Sequence, residues 1–166
     1  MRRPGRLFWP LASVLVLADC TTKRIVEAGQ AEHVPRTVID GVLRLTLAYN
    51  PGAAFSSRFG PHQRWLLIAL TLAILAFLAR LYHATAHRGR LHVVAIALVC
   101  GGAVGNLLDR LRSPRGVVDF IDVGVGSARF WVFNVADVGV SVGAALLVLA
   151  LWRLDREEER HPSPRA

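Results

Sequence analysis

Leu91-His92-Val93-Val94-Ala95-Ile96-Ala97-Leu98-Val99-Cys100-Gly101-Gly102-Ala103-Val104-Gly105-Asn106-Leu107-Leu108-Asp109-Arg110-Leu111 is an almost unbroken apolar run that closes on an amide, a carboxylate and a guanidinium. Its length matches the roughly 20 residues that a helix needs to cross the hydrocarbon of a bilayer. Three further stretches, 7–25, 65–82 and 135–154, are of the same kind. A chain of 166 residues that is 53% hydrophobic and only 19% charged, with a mean hydropathy of +0.40, is too apolar for an ordinary soluble domain. The sequence therefore predicts one integral membrane domain over 1–166. It is mainly α, with four transmembrane helices, connections at 26–62 and 112–133, and a solvated, poorly ordered tail at 155–166.

The net charge of +8 is unevenly spread. Arg2, Arg3 and Arg6 precede the first span, Arg88 and Arg90 lie between the second and third, and Arg153, Arg156, Arg160 and Arg165 follow the fourth. In an up-and-down arrangement all of these fall on one side, which the positive-inside rule makes cytoplasmic. Both termini are then inside and the two longer connections outside. Such a distribution argues against nucleic acid as the partner of the positive charge, which instead belongs to membrane lipids. Cys20 and Cys100 both fall within spans and suggest no disulfide framework. Leu17-Ala18-Asp19-Cys20 imitates the end of a lipoprotein signal, but Asp19 stands where a small residue belongs.

Orientation gathers the polar residues inside the spans. The first span runs outward and carries Asp19 and Lys23, four residues apart on one helical face. The third also runs outward and carries Asn106, Asp109 and Arg110 near its outer end, while the fourth runs inward from Asn134 and Asp137. A charge in hydrocarbon costs about 2.5–3.5 kcal/mol on insertion scales. Taken singly, each of these groups reads as a helix cap or a snorkelling end. Together they meet at one depth, at the outer leaflet.

The outer connections alternate with the period of a half-buried strand. Leu43, Leu45, Leu47 and Tyr49 share one face, and Val117, Asp119, Ile121 and Val123 another, with 129–133 a third short candidate. A small extracytoplasmic β-sheet is expected. Asp119 and Asp122 are an odd number of residues apart, so only one of them can point at the helices. Gly101 with Gly105, and Gly139 with Gly143, have the spacing that lets helices approach closely. Asp137 points nearly opposite to Gly139, so the glycines do not say which helix Asp137 faces.

Five segments, taken in order, resemble the motif series of the bacterial lipoprotein signal peptidases (signal peptidase II). They are Asp19-Cys20-Thr21-Thr22-Lys23, Asn50-Pro51-Gly52-Ala53-Ala54-Phe55-Ser56, Gly101 to Arg110, Val117-Val118-Asp119-Phe120-Ile121 and Phe133-Asn134-Val135-Ala136-Asp137. The resemblance implies an aspartic endopeptidase of the bacterial cytoplasmic (inner) membrane. Its substrates would be lipid-modified prolipoproteins, cut just before a diacylglyceryl-bearing cysteine. It also implies that Asp119 and Asp137 are catalytic, and that Asp19, Lys23, Asn50, Gly52, Ala54, Asn106, Asp109, Arg110 and Asn134 support the site or bind substrate. In that family the outer strands form a cradle. A monomer without cofactor or metal is expected.

The residue types suit that chemistry. Two carboxylates close together hold one proton between them, because both cannot easily ionise, and so supply an acid and a base for attack by water. Asn106 and Asn134 offer hydrogen bonds without charge. Asp109 and Arg110 read equally as a structural ion pair, and Lys23, the only lysine in the chain, as a partner of Asp19. The six histidines lie in connections, near cytoplasmic ends or in the tail, without a metal-ligand spacing inside a span. Two other classes remain open, a proton-coupled transporter and a membrane scaffold whose acids are only caps. The transporter would place its acids near the midplane and show a repeat between halves, and neither is present here.

Overall fold

The computed structural model describes residues 5–52 and 62–160. Four helices form the body: α1 (Gly5–Gly29), α2 (Gln63–Thr85), α3 (Arg90–Arg112) and α4 (Val135–Arg160). A single 3-10 turn at 86–88 joins α2 to α3. Three of these segments, 63–88, 90–112 and 135–153, are long and apolar enough to cross a membrane, with mean hydropathies of 2.1, 2.0 and 2.1. In α1 the charges of Asp19, Lys23 and Arg24 interrupt the apolar run. Its 25 residues nevertheless extend about 38 Å at 1.5 Å each. Asp19 and Lys23 are buried while Trp9, Val14, Leu17 and Ile25 are exposed, so α1 also turns an apolar face outward.

α3 is the central helix and packs against α1, α2 and α4. Small residues let it do so. A methyl group on Gly101 would meet the carbonyl of Ala12 at 3.0 Å, and one on Gly105 would meet Asp19 Oδ2 at 2.6 Å, so this notch seats α1. Gly139 faces Leu15 of α1, and Gly143 faces Ala95 and Val99 of α3. The tightest approach of α3 to α4 is at Gly102, where a methyl would lie 2.3 Å from the Ala136 carbonyl. A backbone oxygen cannot swing aside as a side chain can. Gly102→Ala is therefore expected to cost about 1–3 kcal/mol through overpacking. A lower unfolding temperature in detergent checks this, and an unchanged one contradicts it.

The sheet is antiparallel, in the order β1 (Arg36–Ile39), β2 (Leu43–Asn50), β3 (Val117–Val125), β4 (Ala128–Arg129). Its inner face packs Leu47, Val118 and Phe120 against Val26 near the end of α1. Two features depart from the alternation. β1 was not foreshadowed, because all four of its residues are exposed and no in–out pattern marks it. The candidate strand at 129–133 shrinks to two residues and one bridge, Ile121 to Phe133. The backbone leaves the ladder there to bring Asn134 under β3.

The helix ends also differ from expectation. α1 continues to Gly29, beyond the expected end of the first span at 25. α4 runs past 154 to Arg160, so the start of the expected disordered tail is helical. Leu, Asp, Arg and Glu from 154 onward include strong helix formers that extend the helix once it has begun. Residues 161–166 lie outside the described residues.

Candidate functional site

The polar groups converge at one end of the bundle, where α1 and α3 finish and α4 starts. Asn134 is the residue just before α4, and its Oδ1 accepts from the Asp137 amide at 2.9 Å while the Asp137 carboxylate accepts from the Asn134 amide at 3.2 Å. This reciprocal pair is a capping box. It satisfies two donors of a helix start that apolar surroundings would otherwise leave unpaired. Capping also fixes the side chain of Asp137, whose other oxygen accepts from Asn106 Nδ2 at 2.7 Å.

Asp119 arrives from β3. Asp119 and Asp122 lie on opposite faces of β3, Asp119 beside Asn134 and Asn50 and Asp122 beside Arg129 at 2.9 Å and Thr46 at 3.1 Å. Asp119 Oδ1 accepts from Asn134 Nδ2 at 2.6 Å and Oδ2 accepts from Asn50 Nδ2 at 3.0 Å. Asn134, fully buried, thus binds Asp119 through its side-chain amide and Asp137 through its backbone. Burial first, and then the negative charge of Asp137, push the Asp119 carboxyl up to about 6. The hydrogen bonds from Asn50 and Asn134 and the charge of Lys23 pull the other way.

Beneath this pair sits an ion cluster. Lys23 Nζ lies 2.7 Å from Asp19, 2.8 Å from Asp109 and 3.1 Å from Asn106 Oδ1. Asp19 in turn accepts from the Ala136 amide at 2.9 Å, and Asp109 from the Val118 amide at 3.1 Å. The expected Asp19–Lys23 pair is present. The alternative pairing of Asp109 with Arg110 is not: Asp109 turns inward to Lys23, with Arg112 at 3.7 Å, while Arg110 Nη1 donates to the Asn106 carbonyl at 3.3 Å. Adjacent helical residues point about 100° apart, so they do not face each other.

Asn50 ends β2, and its Oδ1 accepts from the Gly52 amide at 2.9 Å, closing a turn on the carboxamide. Gly52 has φ +105°, and a methyl there would strike Leu67, so the turn needs glycine. Ala54, with Phe55 and Ser56 of the same motif, lies outside the described residues. Sequence reasoning passed over Arg64, whose guanidinium donates to the carbonyls of Arg110 at 2.6 Å and Leu111 at 3.0 Å. The signal was available. An arginine opening α2 stands beside the end of antiparallel α3, where unpaired carbonyls and the helix dipole attract a cation.

With this geometry in place, comparison with known proteins is specific. The family model described as Signal peptidase (SPase) II matches residues 11–153. The lipoprotein signal peptidase of Hydrogenovibrio crunogenus is 41% identical over 157 residues, covering 90% of this chain and 88% of that protein. That of Ectopseudomonas mendocina is 40% identical, covering 93% of each. A solved bacterial membrane enzyme superposes with a TM-score of 0.79 at 29% identity, covering 94% of this chain and 92% of that one. A second gives 0.77 at 32% identity, over 85% and 89%. On the family match and these relatives, the chain belongs to the signal peptidase II family.

Proposed function

We propose that this peptidase is an aspartic endopeptidase that removes the signal peptide of prolipoproteins, with Asp119 and Asp137 as its catalytic pair. One observation carries the reading: Asn134 hydrogen-bonds both acids, one at each end of the residue. Below about pH 6 Asp119 carries the proton, in keeping with its burial beside the negative charge of Asp137. The Asp137 carboxyl is held by Asn106 and the Asn134 amide at the N-terminus of α4, an end that favours a carboxylate. Water attacks the scissile carbonyl carbon, giving its proton to Asp137, while the proton of Asp119 goes to the carbonyl oxygen. When the C–N bond breaks, the leaving nitrogen takes the proton from Asp137 and the diol returns one to Asp119. No covalent bond to the protein forms.

The site lies at the end of the bundle opposite the Arg88 turn and the last turns of α4, which carry Arg153 and Arg156. By charge bias that end faces outward and both termini face the cytoplasm. A substrate anchored by an acylated cysteine and an apolar signal helix reaches such a site along the outer leaflet, without its polar backbone crossing the bilayer. Incubating purified protein in detergent with a diacylglyceryl-modified precursor and with its unmodified twin tests the reading. Cleavage before the modified cysteine is expected, with the twin spared. Solute flux in liposomes without cleavage favours the transporter instead.

The pH profile gives a finer check. Asn50 donates to the ionised form of Asp119, so Asn50→Ala makes Asp119 keep its proton to higher pH. The alkaline limb of kcat/KM is expected to move upward by about one pH unit. A downward move contradicts the role given to Asp119.

A further inference from the structure

Each proposed catalytic aspartate follows a residue whose backbone amide is held by a second, non-catalytic carboxylate. Val118, before Asp119, donates to Asp109 Oδ2, and Ala136, before Asp137, donates to Asp19 Oδ1. Both of these carboxylates contact the same ammonium, that of Lys23, at 2.8 and 2.7 Å. The third contact of that ammonium is Asn106 Oδ1, and the amide nitrogen of Asn106 holds Asp137 itself. The ammonium donates to Asn106 Oδ1 and lies within ion-pair distance of one carboxylate from each of two helices. Lys23 is 1% exposed and Asp19 0%, so this contact is shut off from bulk water.

We infer that Lys23 is a positioning residue that sets the placement of Asp119 relative to Asp137 from behind the site, through Asp109 to β3 and through Asp19 to α4. It rests on the aspartic reading above, but its geometry does not. A buried cation between two carboxylates has a plainer use, which is to neutralise them, because removing one partner of such a cluster leaves charge uncompensated at a cost of several kcal/mol. Neutralisation needs only charge balance. Positioning needs these three contacts at their particular places. The ammonium is well suited to the second task, since it links β3 and the start of α4, which also meet at Asn134 and Val135.

Three variants separate the two uses, read by amide hydrogen exchange in micelles and by cleavage of the diacylglyceryl precursor. In Lys23→Met, exchange at Val118 and Ala136 is expected to speed up at least about tenfold, while mid-helix amides such as Ile96 and Ala97 stay within about twofold. Its kcat is expected to fall about 100-fold with KM within about threefold, the mark of a misaligned site that still binds. Lys23→Met/Asp109→Asn removes one charge of each sign and covers the case in which the single variant does not fold. Here the folded protein returns but kcat stays low. Lys23→Met/Asp19→Asn does the same from the α4 side. Near-normal cleavage by either balanced variant, or unchanged exchange at Val118 and Ala136 in a folded Lys23→Met, overturns the inference. Should the wild-type protein fail to cut the precursor, the peptidase reading falls, and the exchange data alone still decide the role of Lys23.

Discussion

Asp119→Asn and Asp137→Asn, in protein that remains inserted and folded, are each expected to lower the rate of precursor cleavage by about 1,000-fold or more, since each removes one of two groups that act as a unit. KM should change little, because neither carboxylate is needed to hold an apolar signal helix. Stability moves the other way for Asp119. The folded carboxyl keeps its proton to about pH 6, against an ordinary value of 3.8. The native state therefore binds more protons than the unfolded state between these values, and stability falls as pH rises through that window. Asp119→Asn carries no such charge. Its unfolding temperature should lose this pH dependence and equal or exceed that of the wild type at pH 8. Cleavage near the wild-type rate by either variant contradicts the catalytic assignment, and a marked drop in stability of Asp119→Asn at pH 8 contradicts the burial argument.

Asn134→Ala should damage both fold and chemistry. Alanine deletes the cap of α4, and it strips a donor from Asp119, from Asn106 and from the Val118 carbonyl, at 2.6, 3.1 and 3.3 Å. Loss of a cap costs about 1 kcal/mol and buried groups left unsatisfied add about 1–3 kcal/mol, so a total near 2–4 kcal/mol is expected. Activity should fall about 100-fold, as for other losses of precise alignment. Asn134→Ser separates the two effects, because serine caps as well as asparagine but is too short to reach Asp119. Melting should recover by about 1 kcal/mol while cleavage does not. Full cleavage by the serine variant contradicts the bridging role of Asn134.

Much of this architecture follows from local patterns. Hydropathy places four helices, and the alternating direction of those helices already brings Asp19, Asn106 and Asp137 to one end. Parity along β3 separates Asp119 from Asp122 without any coordinates. Other features depend on contacts that no local pattern carries. β1 is an edge strand exposed along its length, so burial leaves no alternation to read. The choice of Lys23 over Arg110 by Asp109 is set by the rotation of α3 against α1, which Gly101 and Gly105 permit. The amides of Val118 and Ala136 are invisible as donors in a sequence, because every residue but proline has one. Asn134 looks like a cap from its place before α4. Its reach to Asp119 appears only when the chain after β4 leaves the ladder.

Carboxyl-region infrared spectra of the protein, recorded against pH and compared with both single variants, test most directly whether Asp119 and Asp137 hold one proton between them. A single protonated-carboxyl band is expected near pH 5.5, fading as pH rises past about 6 and lost in Asp119→Asn. In Asp137→Asn the midpoint should drop, because the negative charge that raises Asp119 is gone. A band with the same midpoint in Asp137→Asn and in the wild type would show two acids that do not sense each other, and the paired mechanism would not stand.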